Sequence, residues 1–485
     1  MEQREMQQAV LLDTFDNHMF QAAKLIIKVD KQLLLLDLQA GQLLGQAAPV
    51  SQVAIEDLDR GPVVDMLLEV TRLRALLPIA EVRVRREEYR VLDDEEKTLV
   101  RIYHLTIIRG RKFAGIGYVQ HLRGYSEAYN DIRQGLENCG AKGCQNADGL
   151  YTTLGIAIRE YNVKPEIGLF PETSIKESAT IILQTFLKIA RQNEQGVIDD
   201  CDTEFLHDYR VCLRKVRSVL SLFVGVFYAK DSARLKDELA EIMRTTNGLR
   251  DLDVYLLNRA EYYRLVPPHA HGGLQILFNE LAQRRKVERG KVGNALQSKE
   301  YLHHMESLEK LFVIGTKIKS GPQANFPSLS FARRLIMKRY RKVCKTGRAL
   351  DETTPDESIH QLRIHCKKLR YLMEFFAPLF PAAEIKQLIR ALKLLQDNLG
   401  NFNDYSVQQQ FLEKLLASHI VGGAKALAVA HSIGALTAML YQLQGDERNR
   451  IIEHLATFDS LDIRNAFTKL FLTEDGSDED NNLLQ

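Results

Sequence analysis

Between Lys24 and Ile108 the apolar residues alternate with polar ones or run together over strand length. Lys24-Leu-Ile-Ile-Lys-Val-Asp30, Ala80-Glu-Val-Arg-Val-Arg-Arg86 and Thr98-Leu-Val-Arg-Ile-Tyr-His-Leu-Thr-Ile-Ile108 carry this pattern, with a turn-like acidic run, Asp93-Asp-Glu-Glu96, between the last two. They predict an antiparallel β domain over residues 1–140. From Ser126 to Cys139 the period lengthens toward that of a helix, and a Gly/Asn-rich piece, Asn138 to Gly149, follows. Pro165, Gly168 and Pro171 suit neither helix nor strand, so Val163 to Glu172 predicts a boundary and 141–171 a linker. Beyond Thr173 the apolar spacing becomes three and four, as in Ile181 to Ile189, Val211 to Phe227, Leu362 to Leu372 and Leu388 to Leu399. Short breaks at Pro267-Pro268, Gly321-Pro322 and Gly422-Gly423 punctuate it. The predicted class is α+β, an antiparallel sheet followed by an all-α domain over 172–472.

Composition adds bounds. The 485 residues are 45% hydrophobic and 26% charged, ordinary for globular domains and contrary to disorder as the default. Lys+Arg 65 against Asp+Glu 63 leaves a net charge of +2, so bulk charge names no partner. The six cysteines form no CxxC pair, which fits a reducing compartment. The N-terminus is polar and acidic where an export signal needs a basic start and an apolar run, so a cytoplasmic location is expected. Gly422 to Leu443 is the best membrane candidate, but Lys425, His431 and many small polar residues make it read as a core helix, and no membrane partner is expected. The tail 473–485, with five acids and no base between Glu474 and Asp480, is expected to be disordered.

An internal repeat carries the chemistry. His207-Asp-Tyr-Arg-Val-Cys-Leu-Arg-Lys-Val-Arg217 and His360-Gln-Leu-Arg-Ile-His-Cys-Lys-Lys-Leu-Arg370 share one pattern. Each precedes a second related segment, Gly248-Leu-Arg-Asp-Leu-Asp-Val-Tyr255 and Asn398-Leu-Gly-Asn-Phe-Asn-Asp-Tyr405, whose first leucines lie 42 and 39 residues after the histidines. Two matches in order argue for duplication, with repeats over 172–320 and 321–472. On a helix turning about 100° per residue, His207, Arg210, Arg214 and Arg217 fall within an arc of roughly 80°, as do His360, Arg363, Lys367 and Arg370.

A third basic stripe precedes the second motif. Phe331 to Arg348 holds eight Lys or Arg and no acid, and Arg334, Lys338, Arg341, Lys345 and Arg348 share one face. Like charges at i and i+4 cost a helix a few tenths of a kcal/mol per pair, roughly, unless an anion lies against them. The bland alternative is a solvated helix face paired to neighbouring acids. Metal binding is not expected at His207 or His360: neither helix offers a second ligand at i+4, and His365 and Cys366 point elsewhere.

At these motifs the chain resembles the CHAD family, named for its conserved histidines, over about residues 172–472. The resemblance implies a pseudo-symmetric pair of helical bundles around a basic cavity that binds inorganic polyphosphate, often on granules in bacterial cells. Carried over by position, the implied contacts are His207, Arg210, Arg214, Lys215, Arg217, His360, Arg363, Lys367, Lys368 and Arg370. Arg334, Lys338, Arg341 and Lys345 join them from the helix arithmetic alone.

The N-terminal region resembles the CYTH, or triphosphate tunnel, domains through Leu11-Leu-Asp-Thr-Phe-Asp16, Arg83-Val-Arg-Arg86 with Asp93, and Leu122-Arg-Gly-Tyr-Ser126. That family's first strand carries E-x-E-x-K, whereas here only Glu2 and Glu5 stand near the start. Without paired carboxylates nothing holds a bridging divalent metal. The expectation is a tunnel-like domain with no catalytic residues, no metal and no cofactor, keeping at most anion binding through Lys24, Lys28, Arg83 and Arg85. Three functions compete: a polyphosphate-binding adaptor, a tunnel-type triphosphatase acting on tripolyphosphate or another triphosphate, and a nucleic-acid binder. The last lacks aromatic platforms, since the chain has no Trp and only Tyr209, Phe331, Tyr340 and Tyr371 near the stripes.

Overall fold

The computed structural model describes residues 2–3, 5–48, 53–55, 58–313, 318–351, 353–418 and 423–472. The tail 473–485 and Gly422 lie outside them. The chain forms two compact units, Met1–Asn162 with Asp200–Phe205, and Val163–Asp199 with Leu206–Gln485.

The first unit is an antiparallel sheet of β1 (Glu2–Gln3), β2 (Gln7–Asp13), β3 (Lys24–Val29), β4 (Gln32–Asp37), β5 (Gln42–Ala47), β6 (Val53–Ala54), β7 (Ala75–Leu92), β8 (Thr98–Arg109) and β9 (Lys112–His121). Its path runs β5-β4-β3-β2-β7-β8-β9, with β1 and β6 paired to β7. The sheet curls into a half-barrel. Branched side chains face one another across the ladders, as in Ile27 with Leu34 and Val84 with Ile107. Four helices accompany the strands: α1 (His18–Gln21), α2 (Pro62–Val70), α3 (Ser126–Asn138) and α4 (Asp148–Leu154).

One face of the sheet buries Leu11, Leu25, Ile27, Leu34, Val82, Val84, Leu105 and Ile107 in a single cluster, and α4 adds Leu150, Tyr151 and Leu154 to it. The stretch 141–171, expected as a linker, therefore contributes to this core. On the other face Ile26, Leu33 and Leu35 pack with Val63, Val64 and Leu67 of α2. Successive strand residues point to opposite faces, so Lys24, Lys28, Glu81, Arg83 and Arg85 fall on the side away from the shared cluster. Lys24 is further committed to a buried ion pair with Asp37, and Arg85 reaches Glu87 at 3.5 Å.

The second unit is helical: α5 (Ile175–Asp199), α6 (Thr203–Leu222), α7 (Ala229–Thr245), α8 (Asn247–Leu257), α9 (Arg259–Leu265), α10 (His271–Leu296), α11 (Lys299–Leu311), α12 (Ser328–Arg348), α13 (Asp356–Phe376), α14 (Ala382–Ser418), α15 (Ala424–Phe458) and α16 (Leu461–Phe471). Four helix starts recur at one offset. Ile175 and Ser328, Thr203 and Asp356, Ala229 and Ala382, and His271 and Ala424 are each 153 residues apart, the separation of Tyr255 from Gln408, which its hydroxyl approaches at 3.5 Å. The apolar run expected to continue to Phe227 leaves the helix at Leu222, and Gly225 at φ +80 takes the turn that L side chains rarely adopt.

An apolar seam joins the two repeats. Leu274, Leu277 and Phe278 of α10 share a cluster with Val429, Ile433 and Leu436 of α15, and Tyr255 stacks on Phe411 at 4.1 Å. A Cβ on Gly273 would meet the carbonyl oxygen of Ala428 at 2.1 Å, so glycine is what lets α10 approach α15. The helix α15 is long and apolar enough to cross a membrane by length and composition. Its buried Val429, Ile433, Leu436 and Leu440, followed by buried Gln444 and Glu447, form one packed stripe, while Leu427 and Tyr441 on its other sides are exposed, so it is packed on one side where the sequence expects a buried core helix.

Candidate functional site

The two motifs lie on α6 and α13, at equivalent places in the two repeats. Each histidine is held by a residue 43 positions further on. The Nδ1 of His207 accepts a bond from Arg250 at 2.9 Å, and the Nδ1 of His360 lies 2.7 Å from the amide oxygen of Asn403. This corrects the alignment of the second segments. Arg250 corresponds to Asn403 and Asp251 to Asp404, so Leu249 is matched by Phe402 rather than by Leu399. Both Leu249 and Phe402 are buried, and burial selects an apolar side chain without requiring leucine. The exchange of Arg250 for Asn403 also sets opposite tautomers. His207 accepts at Nδ1 and carries its proton on Nε2, whereas His360 donates from Nδ1.

The arginines one turn on are half-buried. Arg210 donates to the carbonyl of Met243 at 3.0 Å and to the hydroxyl of Thr246. Burial, with the neighbouring charges of Arg214 and Arg250, pushes its guanidinium down to about 10, with Asp251 acting against them. In the second repeat Arg363 lies 3.6 Å from Asp404. Burial lowers its pKa, Asp404 opposes, and Arg214 adds to the lowering.

Arg214 therefore acts across the repeats. The same holds at Lys367, whose ammonium is pushed down to about 8 by burial and then by Arg363 and Arg214, with Arg370 adding and Asp404 opposing. Arg214, Arg363, Lys367 and Arg370 form one row drawn from both α6 and α13. Buried guanidinium nitrogens in and beside this row, Nε of Arg217, Nη1 of Arg250 and Nε of Arg363, have no hydrogen-bond partner. Planar donors of this kind match the oxygens of phosphate.

Several of the expected contacts have further partners. Lys215 is 8% exposed, with its ammonium 4.4 Å from the Phe186 ring centroid and 3.9 Å from Glu374. Arg370 shares Glu374 at 3.2 Å. Arg217 meets the sulfur of Met243 at 3.8 Å. Lys368 is perturbed by burial and then by Arg339 and Lys342 of α12, not by the row. On α12 the stripe is split. Arg334 bonds Gln323 at 2.7 Å and lies over Phe326 and Phe331, Arg348 makes two bonds to Asp459 at 2.6 and 2.9 Å, and Lys338, Arg341 and Lys345 stand exposed. Arg250, Asp251 and Asp404 lie against the motif residues His207, Arg210 and Arg363. Their signal was present in the paired segments once the register is 43.

The CHAD domain family matches residues 181–413. Uncharacterized protein MT2285 and Uncharacterized protein Rv2226, both of Mycobacterium tuberculosis, are each 26% identical over 255 residues, covering 52% of this chain and 46% of their own length. The chain thus spans about half the length of these curated relatives. The crystal structure of the CHAD domain from the plant Ricinus communis is similar at a TM-score of 0.51 and 25% identity, covering 60% of this chain and 95% of that one. PptA from Streptomyces chartreusis gives a TM-score of 0.44 at 15% identity, over 61% of this chain and 99% of that one. Residues 181–413, which include both histidine-led helices, thus form a CHAD domain.

Proposed function

We propose that the helical unit binds inorganic polyphosphate along the row formed by Arg214, Arg363, Lys367 and Arg370, with His207, Arg210 and His360 extending it. The observation that carries this reading is the convergence of Arg214 from α6 with half-buried Arg363 and Lys367 of α13, where the buried Nε of Arg363 has no hydrogen-bond partner and burial, then Arg363 and Arg214, push Lys367 down to about 8. A cluster of half-buried cations that depress one another costs stability in the free protein and is relieved by a polyanion. Polyphosphate suits it because every unit offers charged oxygens and none needs a base-stacking surface. In a cell the protein would act as a polyphosphate-binding or granule-associated adaptor.

The test is a titration of the full chain with polyphosphate. Arg214→Gln with Lys367→Gln should weaken binding by about a hundredfold, two charge-assisted contacts of roughly tenfold each. Unchanged affinity in that variant overturns the proposal, as does an oligonucleotide that displaces polyphosphate at equal phosphate concentration. The triphosphatase alternative has less support, because the largest cluster on the sheet is hydrocarbon and Glu81 lies on its other face.

A further inference from the structure

The row described above uses the part of α13 that meets α6. On another part of α13, against α12, a second group of basic side chains gathers. Arg339 and Lys342 are one turn apart on α12, and His365 and Lys368 are one turn apart on α13. Burial pushes His365 down to about 4, and the charges acting on it are Lys342, Arg339 and Lys368. Its buried Nδ1 has no hydrogen-bond partner. Among the described residues no acid forms an ion pair with Arg339, Lys342 or Lys368.

The duplication supplies an internal control. At the offset of 153, the counterparts in the first repeat are Phe186, Ile189, Cys212 and Lys215. Phe186, Ile189 and Cys212 are 3%, 5% and 0% exposed, and Lys215 lies over Phe186. There the place is packed core, with its one cation covered by an aromatic ring and balanced by Glu374. In the second repeat the same place holds four basic groups, with Arg339, His365 and Lys368 half-buried and Lys342 exposed. Packing alone does not require this exchange, since the apolar version serves in the first repeat. Three cations and an unpartnered imidazole nitrogen across two adjacent helices are costly without an anion between them.

We infer that Arg339, Lys342, His365 and Lys368 form a second site for a condensed-phosphate anion, separate from the row shared by the repeats. Adjacent helices pack about 8–10 Å apart and one turn rises about 5 Å, which fits a group of two or three linked phosphates better than a single one. The arginine and lysines supply charge and directed donors, and His365 supplies a hydrogen bond from a nitrogen that otherwise has none. The inference does not depend on the row binding polyphosphate.

Inorganic tripolyphosphate added to the full chain tests it, read by calorimetric stoichiometry and by the NMR signal of the His365 imidazole, identified by its loss in His365→Gln. The expected result is a shift of the His365 signal on saturation, abolished in Arg339→Gln with Lys342→Gln, and a fall in that site's affinity of about tenfold or more. Lys342→Glu, at an exposed position, gives the same readout should the double variant fold poorly. The shift should persist in Arg214→Gln with Lys367→Gln. A silent His365 at saturation, or a shift retained in the α12 variants, overturns the inference and leaves the row untouched. A His365 shift that survives while the row variant leaves polyphosphate affinity unchanged overturns the row and leaves this site standing.

Discussion

Lys215 and Lys367 carry the same charge in helices built on the same motif, yet their surroundings give them opposite work. Lys215 lies over the Phe186 ring in the core, whereas Lys367 sits among Arg363, Arg214 and Arg370. The helical wheel separates them. Eight residues past His207, Lys215 is rotated about 80° to the far side of the histidine from the arginines. Lys215→Met should therefore lower the melting temperature through loss of the cation on the ring and of the Glu374 pair, while polyphosphate affinity stays within about twofold, a change smaller than one lost charged contact. A loss of affinity like that of the row variants would return Lys215 to the ligand set. Lys367 makes a second prediction. Folding lowers its pKa from 10.5 to about 8, so the unfolded chain binds the proton more tightly between those values. On this account stability rises as pH rises through that window, and the full cost is present below about 8. An anion reverses the shift, so polyphosphate binding near pH 8 should take up protons, measured as a binding enthalpy that changes with the buffer's ionisation enthalpy. That buffer dependence should vanish in Lys367→Gln.

At the scale of elements, the basic run on α12 was legible as a stripe and its fate was not. Periodicity places Arg334, Lys338, Arg341, Lys345 and Arg348 on one face, but only the packing of α16 beside α12 reveals that Arg348 is tied to Asp459. Asp459 also receives Arg464 of α16 at 2.9 Å, so one carboxylate joins two helices to the end of α15. The Arg348 hydrogen bond, and then that of Arg464, outweigh burial and hold this carboxyl down at about 2, from 3.8. Its contribution to stability is complete above the unfolded value and is lost as pH falls through about 2. Asp459→Asn should thus be less stable than the natural chain at pH 7, with the gap closing toward pH 2, as read from urea unfolding midpoints at the two pH values. A gap independent of pH would show that the carboxylate charge is not what joins these helices. The register of the second segments failed at the same scale. Letter matching aligned Leu249 with Leu399, while the contacts align it with Phe402, because the buried position is filled by phenylalanine in one repeat and leucine in the other.

At the scale of the molecule, the proposed site draws on both copies of one helical unit. Arg214 belongs to the first repeat and Lys367 to the second, so neither copy alone holds the row. Binding that neutralises such a row releases counterions, and the logarithm of affinity should fall with the logarithm of salt by about 0.7 to 0.9 per contact. Removing Arg214 and Lys367 together should flatten that slope by roughly 1.5, and an unchanged slope would place the phosphates elsewhere. The sequence by itself determined the α+β division, the duplication, and the one-sided histidine and arginine rows, since each follows from periodicity along a single chain. Only the tertiary structure decided which cations meet across the repeats, which are drawn off by Asp459, Glu374 or an aromatic face, and that the sheet's shared cluster is hydrocarbon. The reason is physical: a period fixes where a side chain lies around its own helix or strand, whereas charge and solvent at that side chain are set by neighbours far away in sequence.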